Sequence, residues 1–304
     1  MNGILNVLKP PGMTSFDVVA YLRGVLKLKK IGHTGTLDPG AAGVLPVCLG
    51  RATKAIEFLT EKDKFYRAEM VLGISTDTQD SSGSTMQVRD VTVNRREIID
   101  AVEAFRGVYL QTPPMYSAIK LNGKKLYELA RDGISVERQP REVVIYQTRV
   151  INIAGHRVIF DVACSKGTYI RTLCADIGER LGCGGHMSFL LRTKAGVFDI
   201  ASALTLEDIS ALQGKGMLKE RFISVDEALD GFKPLTVAGP NVKKLLNGVP
   251  VVLEDAEIVS GEKLRIYSVE GTFIGIGEAQ GKLEKLFIKM KKVFWQGEHY
   301  ESNL

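Results

Sequence analysis

The sequence feature that most restricts the fold is a glycine-rich stretch, residues 31–50, that carries a single carboxylate. It reads IGHTGTLDPGAAGVLPVCLG and contains five glycines and two prolines, with Asp38 as its one acid and His33 as its one imidazole. The proline after Asp38 disfavours helical dihedrals at the aspartate. Gly35 and Gly40 permit turns and close approaches that a Cβ atom would block. The stretch therefore predicts a tight turn that fixes Asp38 in place.

The residues around Asp38 bear on whether this turn is a site. Asp-Pro-Gly by itself is a common turn sequence in which the aspartate bonds its own backbone, and the tripeptide alone favours that interpretation. Residues Ala41 to Leu45 are small or apolar, so the carboxylate faces an apolar surface that another molecule can approach closely. Taken alone, His33 is an ordinary polar loop residue.

The whole stretch resembles the active-site loop of the TruB family of tRNA pseudouridine synthases, in which GHTGTLDP is followed by A-x-G-x-L. Both motifs are complete here, at residues 32–39 and 41–45. The resemblance implies that Asp38 is the catalytic nucleophile and that His33 lies beside the bound nucleotide.

Two further motifs resemble the same family. Lys64-Phe65-Tyr66 opens a run that alternates to Leu72 in the two-residue rhythm of a half-buried strand. An aromatic at a strand end is more often a core or rim residue than a ligand platform. The K-x-Y motif of the family, however, places its tyrosine, here Tyr66, flat against the uracil. Lys9-Pro10 resembles the first family motif, near the catalytic loop, and on that resemblance we assign Lys9 to the substrate-binding set.

The segment GTYIRTL opens a predicted amphipathic helix and resembles another family motif. The resemblance implies that Tyr169 lies close to the reacting base and that Arg171 pairs with the catalytic carboxylate. A guanidinium beside Asp38 favours the ionised carboxylate and orients it. Without the family, Tyr169 is a core residue and Arg171 an ordinary ion-pair partner. The motif LLRTKAG resembles the family segment whose leucine, here Leu190, lines the base pocket.

Length and charge divide the chain in two. Protein domains have roughly 150 residues on average, so a chain of 304 residues predicts about two domains. Residues 1–234 hold 31 Lys and Arg against 26 Asp and Glu, whereas residues 235–304 hold nine of each, so the net charge of +5 lies in the first part. By resemblance we expect an α+β protein. A pseudouridine synthase catalytic domain with a mixed, largely antiparallel sheet occupies 1–234, and a small PUA-like β-barrel domain that binds RNA occupies 235–304.

Two polar segments interrupt the predicted catalytic domain. Thr112 to Val143 mixes tyrosines with lysines and arginines, which suits RNA through phosphate neutralisation and stacking and suits a surface subdomain equally well. The family carries an RNA-gripping insertion here. Ser75 to Ser84 contains two aspartates but lacks the alternate acids and closing glutamate of a calcium loop, so we interpret it as a solvated loop.

The family resemblance implies an isomerase that converts uridine to pseudouridine at position 55, in the T loop of tRNA. The reaction needs an ionised carboxylate, as Asp38 is at neutral pH from a reference pKa of about 3.9. It also needs a pocket for a base flipped out of its stack. The residues leave open whether Asp38 attacks the sugar, attacks C6 of the base or acts as a base. Tyr169 is the candidate for handling the C5 proton.

Three alternatives have different consequences. A guide-RNA-dependent pseudouridine synthase component shares these motifs and would need partner proteins. A non-catalytic tRNA-binding or tRNA-folding protein would bind the same RNA without turnover. A glycoside hydrolase would normally need a second carboxylate facing Asp38, and none occurs in these motifs.

Other expectations concern cofactors and the cellular setting. The sequence has no dinucleotide fingerprint, phosphate-binding loop or metal-ligand spacing, so we expect neither cofactor nor metal. The four cysteines form no C-x-x-C pair and predict buried small hydrophobic residues. No stretch resembles a secretion signal or a membrane span. We therefore expect a cytoplasmic monomer that binds the tRNA T stem-loop without an obligatory protein partner or a membrane.

Overall fold

The computed structural model describes residues 1–121, 123–253, 257–282 and 285–295. Its strands are β1 Gly3–Lys9, β2 Ile31–His33, β3 Ala42–Leu49, β4 Lys64–Leu72, β5 Ile74–Thr76, β6 Thr85–Val88, β7 Gly107–Gln111, β8 Lys120–Leu121, β9 Lys124–Lys125, β10 Arg141–Ala154, β11 Arg157–Cys164, β12 Gly185–Ala195, β13 Phe198–Asp199, β14 Lys233–Val237, β15 Val251–Leu253, β16 Lys263–Ser268, β17 Phe273–Lys282 and β18 Lys285–Val293. Its α-helices are α1 Ser15–Leu26, α2 Ile56–Thr60, α3 Arg95–Glu103, α4 Leu126–Arg131, α5 Ile170–Arg180, α6 Leu206–Gly214, α7 Val225–Ala228 and α8 Gly239–Leu246.

A nine-stranded sheet forms the larger part of the molecule. Its order is β1-β3-β12-β4-β11-β10-β7, with β2 paired to β3 and β13 paired to β12. Neighbouring strands are antiparallel except β3 and β12, which run parallel with Leu191 opposite Ala42. The α+β class and the mixed, largely antiparallel sheet are therefore confirmed. β12 comes late in the chain yet lies between two early strands.

Alternating burial along β4 places one face of the sheet in the core. Ala68, Met70 and Leu72 are at most 1% exposed, and helices α3 and α5 pack on this side through Val102 and Leu173. Burying a side chain the size of methionine or leucine stabilises the fold by about 1.5–3 kcal/mol. This packing holds the first turn of α5, with Arg171, against the sheet.

Helix α1 begins at a capping box formed by Thr14 and Asp17. The Thr14 hydroxyl accepts the Asp17 N–H at 3.0 Å, and the Asp17 carboxylate accepts the Thr14 N–H at 2.8 Å, which satisfies two otherwise free donors. Val18 and Leu22 are fully buried against the sheet. The start of α1 therefore lies directly behind residues 31–50.

A second, five-stranded sheet follows in the order β14-β16-β17-β18-β15. It packs on the first sheet through aromatic residues: Phe273 and Phe294 join the hydrophobic cluster that contains Phe58. An ion pair of 3.1 Å between Arg265 and Asp226 reinforces the contact. Residues 254–256, 283–284 and 296–304 of the predicted C-terminal domain lie outside the described residues.

The predicted insertion leaves the first sheet between β7 and β10. It carries the β8–β9 pair and helix α4, after which Gly133 adopts a φ of +71°. Asn122 within it lies outside the described residues. None of the helices in the described part of the chain has the length and apolar character needed to cross a bilayer.

Candidate active site

A cavity of about 1060 Å³ opens where β4 and β12 meet the first turn of α5. Five of the predicted site residues line it together: Asp38, Tyr66, Tyr169, Arg171 and Leu190. They come from four separate parts of the sequence, since Tyr169 and Arg171 share one motif, and the fold brings them to one place. The other two predicted residues, His33 and Lys9, are not among the described residues that line it.

The turn that carries Asp38 is stabilised by a hydrogen bond within the turn and by another to helix α1. The Ala41 N–H donates to the Asp38 carbonyl at 3.0 Å, which closes the turn. Ser15, the first residue of α1, accepts the Leu37 N–H on its hydroxyl oxygen at 2.9 Å. The Asp38 side chain remains 38% exposed, and it faces the cavity.

Gly43 allows the strand after this turn to approach β12. Its φ is +115°, and a Cβ atom at this position would lie 2.2 Å from the carbonyl oxygen of Arg192. Both the dihedral and the contact require glycine. The close approach brings Arg192 beside residues 31–50.

Arg192 ties together the two ends of the Asp38 turn, and sequence analysis did not single it out. Its side chain is 2% exposed. Nε donates to the Val44 carbonyl at 2.6 Å, and Nη2 donates to the Gly35 carbonyl at 3.1 Å. Arg192 belongs to the LLRTKAG motif, so the signal was present, but only the strand register shows which backbone it reaches.

Lys9 lies behind the turn and not in the cavity. It is fully buried, and its ammonium donates to the carbonyls of Ala41, Pro10 and Pro39 at 2.7, 2.9 and 3.2 Å. Burial lowers its pKa to about 8, against the opposing effect of Asp38. The assignment of Lys9 to direct substrate contact does not fit this position, because its three donors are already used by backbone oxygens.

Arg171 lies between two carboxylates. Its guanidinium nitrogens are 3.7 Å from an Asp38 oxygen and 3.5 Å from an Asp80 oxygen, and one of them also donates to the Tyr116 carbonyl. The Arg171 side chain is 6% exposed. The expected pairing of Arg171 with Asp38 is present, and a second carboxylate shares the same cation.

Asp80 belongs to the segment that we interpreted as a solvated loop, and for Asp80 that interpretation is wrong. Its side chain is only 13% exposed. One carboxylate oxygen accepts the Thr78 hydroxyl at 2.7 Å and the Ser82 N–H at 2.9 Å, while the other faces Arg171. A second carboxylate therefore lies near Asp38, from a segment outside the family motifs, and it is held by Arg171 and its own loop.

The pKa of Asp38 reflects these opposing neighbours. Burial raises it, Arg171 lowers it, Asp80 raises it and Lys9 lowers it, in decreasing order of effect. The net result is a pKa above the ordinary value for an aspartate. Arg171 therefore offsets only part of the free-energy cost of ionising this buried carboxylate.

Tyr66 and Leu190 enter the cavity from adjacent strands. On the β4–β12 pair, Leu190 lies opposite Ala68 and Arg192 lies opposite Tyr66. Leu190 is 7% exposed. Burial is the main cause that raises the pKa of the Tyr66 phenol, so its hydroxyl group keeps its proton at neutral pH. The two side chains give the cavity an apolar, partly aromatic surface near Asp38.

Tyr169 precedes the first residue of α5 and is half-buried. The guanidinium carbons of Arg141 and Arg171 lie 4.8 and 5.8 Å from the centre of its ring. Cations at this distance from an aromatic ring are attracted by its quadrupole. The ring is therefore held by two arginines at the cavity.

His33 lies at the end of β2, where it pairs with Val47 of β3. Its Nδ1 accepts the Gly35 N–H at 3.3 Å, so it supports the start of the Asp38 turn. Burial and the nearby Arg192 lower its pKa, which favours the neutral imidazole.

In the described residues, no group of three or more His, Cys, Asp and Glu side chains is arranged to hold a metal ion. The four cysteines are buried and free, as the sequence predicts. Burial raises the pKa of Cys48 and Cys164 to about 12, so neither thiol ionises readily.

Family models match three consecutive parts of the chain. The model described as TruB family pseudouridylate synthase (N terminal domain) matches residues 23–170. The model described as tRNA pseudouridylate synthase B C-terminal domain matches residues 171–230, and that described as Pseudouridine synthase II TruB, C-terminal, matches residues 234–284.

Individual relatives extend these matches over nearly the whole chain. The protein is 48% identical to a tRNA pseudouridine synthase B of Alkaliphilus oremlandii, over 98% of this chain and 100% of that one. It is 47% identical to a tRNA pseudouridine synthase B of Clostridium kluyveri, over 95% and 100%. Among solved structures, it is similar to a chain in a crystal structure of a Cbf5-Nop10-Gar1 complex, with a TM-score of 0.78 and 29% identity over 96% of this chain and 85% of that one.

Proposed function

The chain belongs to the TruB family of pseudouridylate synthases and is a tRNA pseudouridine synthase, and from this premise we propose that it isomerises the uridine at position 55, in the T loop of tRNA, with Asp38 as nucleophile. The observation that carries the proposal is the position of Asp38. Its partly exposed carboxylate lies 3.7 Å from Arg171 on a cavity of about 1060 Å³. This volume is at the upper end of the range for ligand sites, about 300–1,000 Å³.

The cavity suits a base that has been flipped out of its stack. Extruding a nucleotide costs a few kcal/mol, which stacking on aromatic side chains and contact with apolar ones offset. Tyr66, Tyr169 and Leu190 provide such contacts from three parts of the sequence. We assign Tyr66 and Leu190 to holding the uracil.

The reaction breaks the bond between the sugar C1′ and N1, turns the uracil and forms a bond between C1′ and C5. N1 gains a proton and C5 loses one, so atoms and charge balance without an external group. An ionised Asp38 serves as nucleophile toward C1′ or C6, or as the base that releases a glycal, and all three courses need the same carboxylate. Tyr169, beside Arg171, is our candidate for handling the C5 proton.

Lys9 and His33 act behind the cavity in this proposal. The buried ammonium of Lys9 neutralises three backbone carbonyl dipoles beneath the Asp38 turn. His33 supports the same turn through the Gly35 N–H. Both residues thus set the position of Asp38 and do not touch the uridine themselves.

We assign RNA binding beyond the flipped base to residues 112–143 and to the C-terminal sheet. In the first segment, the Lys125 ammonium and the Arg131 guanidinium lie 5.3 and 5.5 Å from the centre of the Tyr127 ring. Tyr127 is half-buried, and basic side chains around such an aromatic suit both phosphates and unstacked bases. The C-terminal sheet, from Lys233 to Val293, is in our proposal a PUA-like module that contacts the same tRNA.

Tritium release tests the assignment directly, because substrate and product have the same mass. A T-stem-loop hairpin labelled with tritium at C5 of its uridines is incubated with the purified chain, without partner proteins or guide RNA. We expect release from the unaltered chain. In the Asp38→Asn variant we expect at least a ~10³-fold loss of rate, the scale on which loss of a nucleophile acts.

A matched control is Asp90→Asn, which makes the same change at an exposed aspartate outside the cavity and is expected to retain full activity. Normal turnover by Asp38→Asn would rule out the nucleophile. Turnover only in the presence of a guide RNA and partner proteins would favour the guide-dependent alternative. RNA binding without any release would favour a non-catalytic tRNA-binding protein.

A further inference from the structure

The side-chain amide of Gln111 forms two hydrogen bonds with the main chain of Tyr169. The Tyr169 N–H donates to Oε1 at 2.8 Å, and Nε2 donates to the Tyr169 carbonyl at 2.9 Å. Gln111 is fully buried. The pair of bonds has the same pattern as a hydrogen-bonded residue pair in an antiparallel sheet, with a side chain in place of a strand.

The chain around Gln111 explains why a side chain makes these bonds. β7 ends at Gln111, and Pro113 and Pro114 follow, neither of which has an N–H to donate. Tyr169 has extended backbone angles, φ −96° and ψ 108°, just before α5 begins. An extended residue outside a strand needs partners for its N–H and carbonyl. Gln111 is the partner of the N–H, and its amide shares the carbonyl with the Leu173 N–H, which donates at 3.1 Å.

A second residue from the same strand pair holds the Tyr169 ring. Arg141 lies directly opposite Gln111 in the register of β7 and β10. It donates to the Gly167 carbonyl, and its guanidinium carbon lies 4.8 Å from the centre of the Tyr169 ring. The two facing residues at the end of this strand pair thus hold the main chain and the ring of one tyrosine.

We propose that Gln111 is a positioning residue that fixes the direction in which Tyr169 presents its ring to the flipped base. This inference rests on the proposed function. Gln111 is not among the described residues that line the cavity, so it acts through Tyr169. Its loss therefore slows turnover while the affinity for RNA stays unchanged.

The variant Gln111→Glu gives a readout that a purely structural role would not produce. An ionised carboxylate accepts the Tyr169 N–H but repels its carbonyl oxygen, whereas a protonated carboxyl restores the donor. Burial and the Asp176 carboxylate, which accepts the hydroxyl of Tyr109 on the same strand, raise the pKa of such a carboxyl, whereas Arg141 opposite it lowers that pKa. We therefore expect the ratio of the variant kcat to that of the unaltered chain to rise about tenfold between about pH 8 and about pH 5.5.

The measurement is the initial rate of tritium release from the C5-labelled hairpin at saturating RNA, with the Kd for the hairpin measured alongside. Gln111→Met keeps the length of the side chain and removes both hydrogen bonds. Its kcat is expected to fall about tenfold or more at every pH, with Kd within about twofold. Gln147→Glu, at an exposed position of β10, is the control, and its ratio is expected to be flat with pH.

A flat ratio for Gln111→Glu together with a normal kcat for Gln111→Met would overturn the inference. So would a weaker Kd with unaltered kcat, which would assign Gln111 to RNA binding. Thermal unfolding monitors each variant. If the Glu variant does not fold, the kcat and Kd of the Met variant decide. If neither folds, Gln111 serves the sheet and the inference is wrong. Failure of the proposed function is separate, because the unaltered chain would then release no tritium.

Discussion

Two carboxylates share one guanidinium at the cavity, and this arrangement decides how acidic Asp38 can be. Arg171 favours the ionised form of Asp38, but Asp80 and burial oppose it, so the pKa of Asp38 lies above its ordinary value. The pKa of Asp38 is therefore closer to neutral pH than the reference pKa of a free aspartate suggests. Asp80 also stabilises the position of the Arg171 guanidinium, which would otherwise have Asp38 as its one charged partner among these residues.

The pH dependence of turnover should report this balance. Turnover by the proposed mechanism needs ionised Asp38, so kcat falls as the pH drops through the Asp38 pKa. The Asp80 charge raises that pKa, so Asp80→Asn lowers it and moves the acid limb of the kcat profile to lower pH. We expect kcat at the plateau to fall as well, by about tenfold, because Arg171 loses a hydrogen-bonded partner.

The profile is measured by tritium release under saturating RNA, from about pH 4.5 to about pH 8, a range that spans aspartate values raised above the reference. Asp90→Asn serves again as the control and should leave the acid limb in place. A shift of the limb to higher pH in Asp80→Asn would contradict the electrostatic account of this site.

At the scale of elements, the parallel contact of β3 with β12 depends on one glycine. We predict that Gly43→Ala destabilises the protein by about 3 kcal/mol or more, since its Cβ would meet the Arg192 backbone and its φ disfavours a side chain. Gly24→Ala is the matched control. Gly24 lies in α1, where an added Cβ would meet nothing within 4 Å beyond the helix's own backbone, so alanine there should stabilise by about 0.5–1 kcal/mol.

Urea unfolding of both variants measures the difference. A Gly43→Ala protein with unaltered stability would mean that the two strands separate easily, and the hold of Arg192 on the Asp38 turn would then be weak. If Gly24→Ala also lowered the free energy of unfolding, it could not serve as the control for Gly43→Ala.

Local patterns predicted the elements well, because their causes are local. The alternation of β4 and the amphipathic helix that GTYIRTL opens depend on neighbours in sequence, and both are present. The family motifs predicted which side chains meet at the cavity, and five of the seven do.

The remaining contacts could not be predicted because they join distant parts of the chain. Asp80 reaches Arg171 across 91 positions, Gln111 reaches Tyr169 across 58, and Arg192 reaches Gly35 across 157. Each depends on how distant strands, helices and loops pack together, and the Arg192 contact depends also on the parallel pairing of β12 with β3, which no local pattern specifies. Lys9 was misplaced for the same reason, since its motif does not show on which side of the turn its ammonium lies.

At the scale of the whole molecule, the positive charge lies in residues 1–234, where the cavity also lies. Binding of a hairpin should therefore weaken with salt, since each neutralised phosphate releases counterions. We predict that Lys124→Gln, in the proposed RNA-gripping segment, lowers the slope of log Kd against log salt by about 0.7–0.9. Lys215→Gln, at an exposed position after α6, should leave it unchanged.

Fluorescence anisotropy of a labelled hairpin at several salt concentrations gives both slopes. Equal changes in the two variants would mean that the protein binds through its net charge alone. An unchanged slope in Lys124→Gln would mean that Lys124 does not contact an RNA phosphate.

The position of β12 between β3 and β4 has a consequence for how the protein is made. Both early strands emerge from the ribosome long before the strand that must separate them. Until residues 185–195 have been synthesised, β3 and β4 have no shared neighbour, and Arg192 is not there to close the Asp38 turn. The nascent chain therefore cannot complete this site for most of its translation, and the facing edges of β3 and β4 are until then open to pairing with another chain.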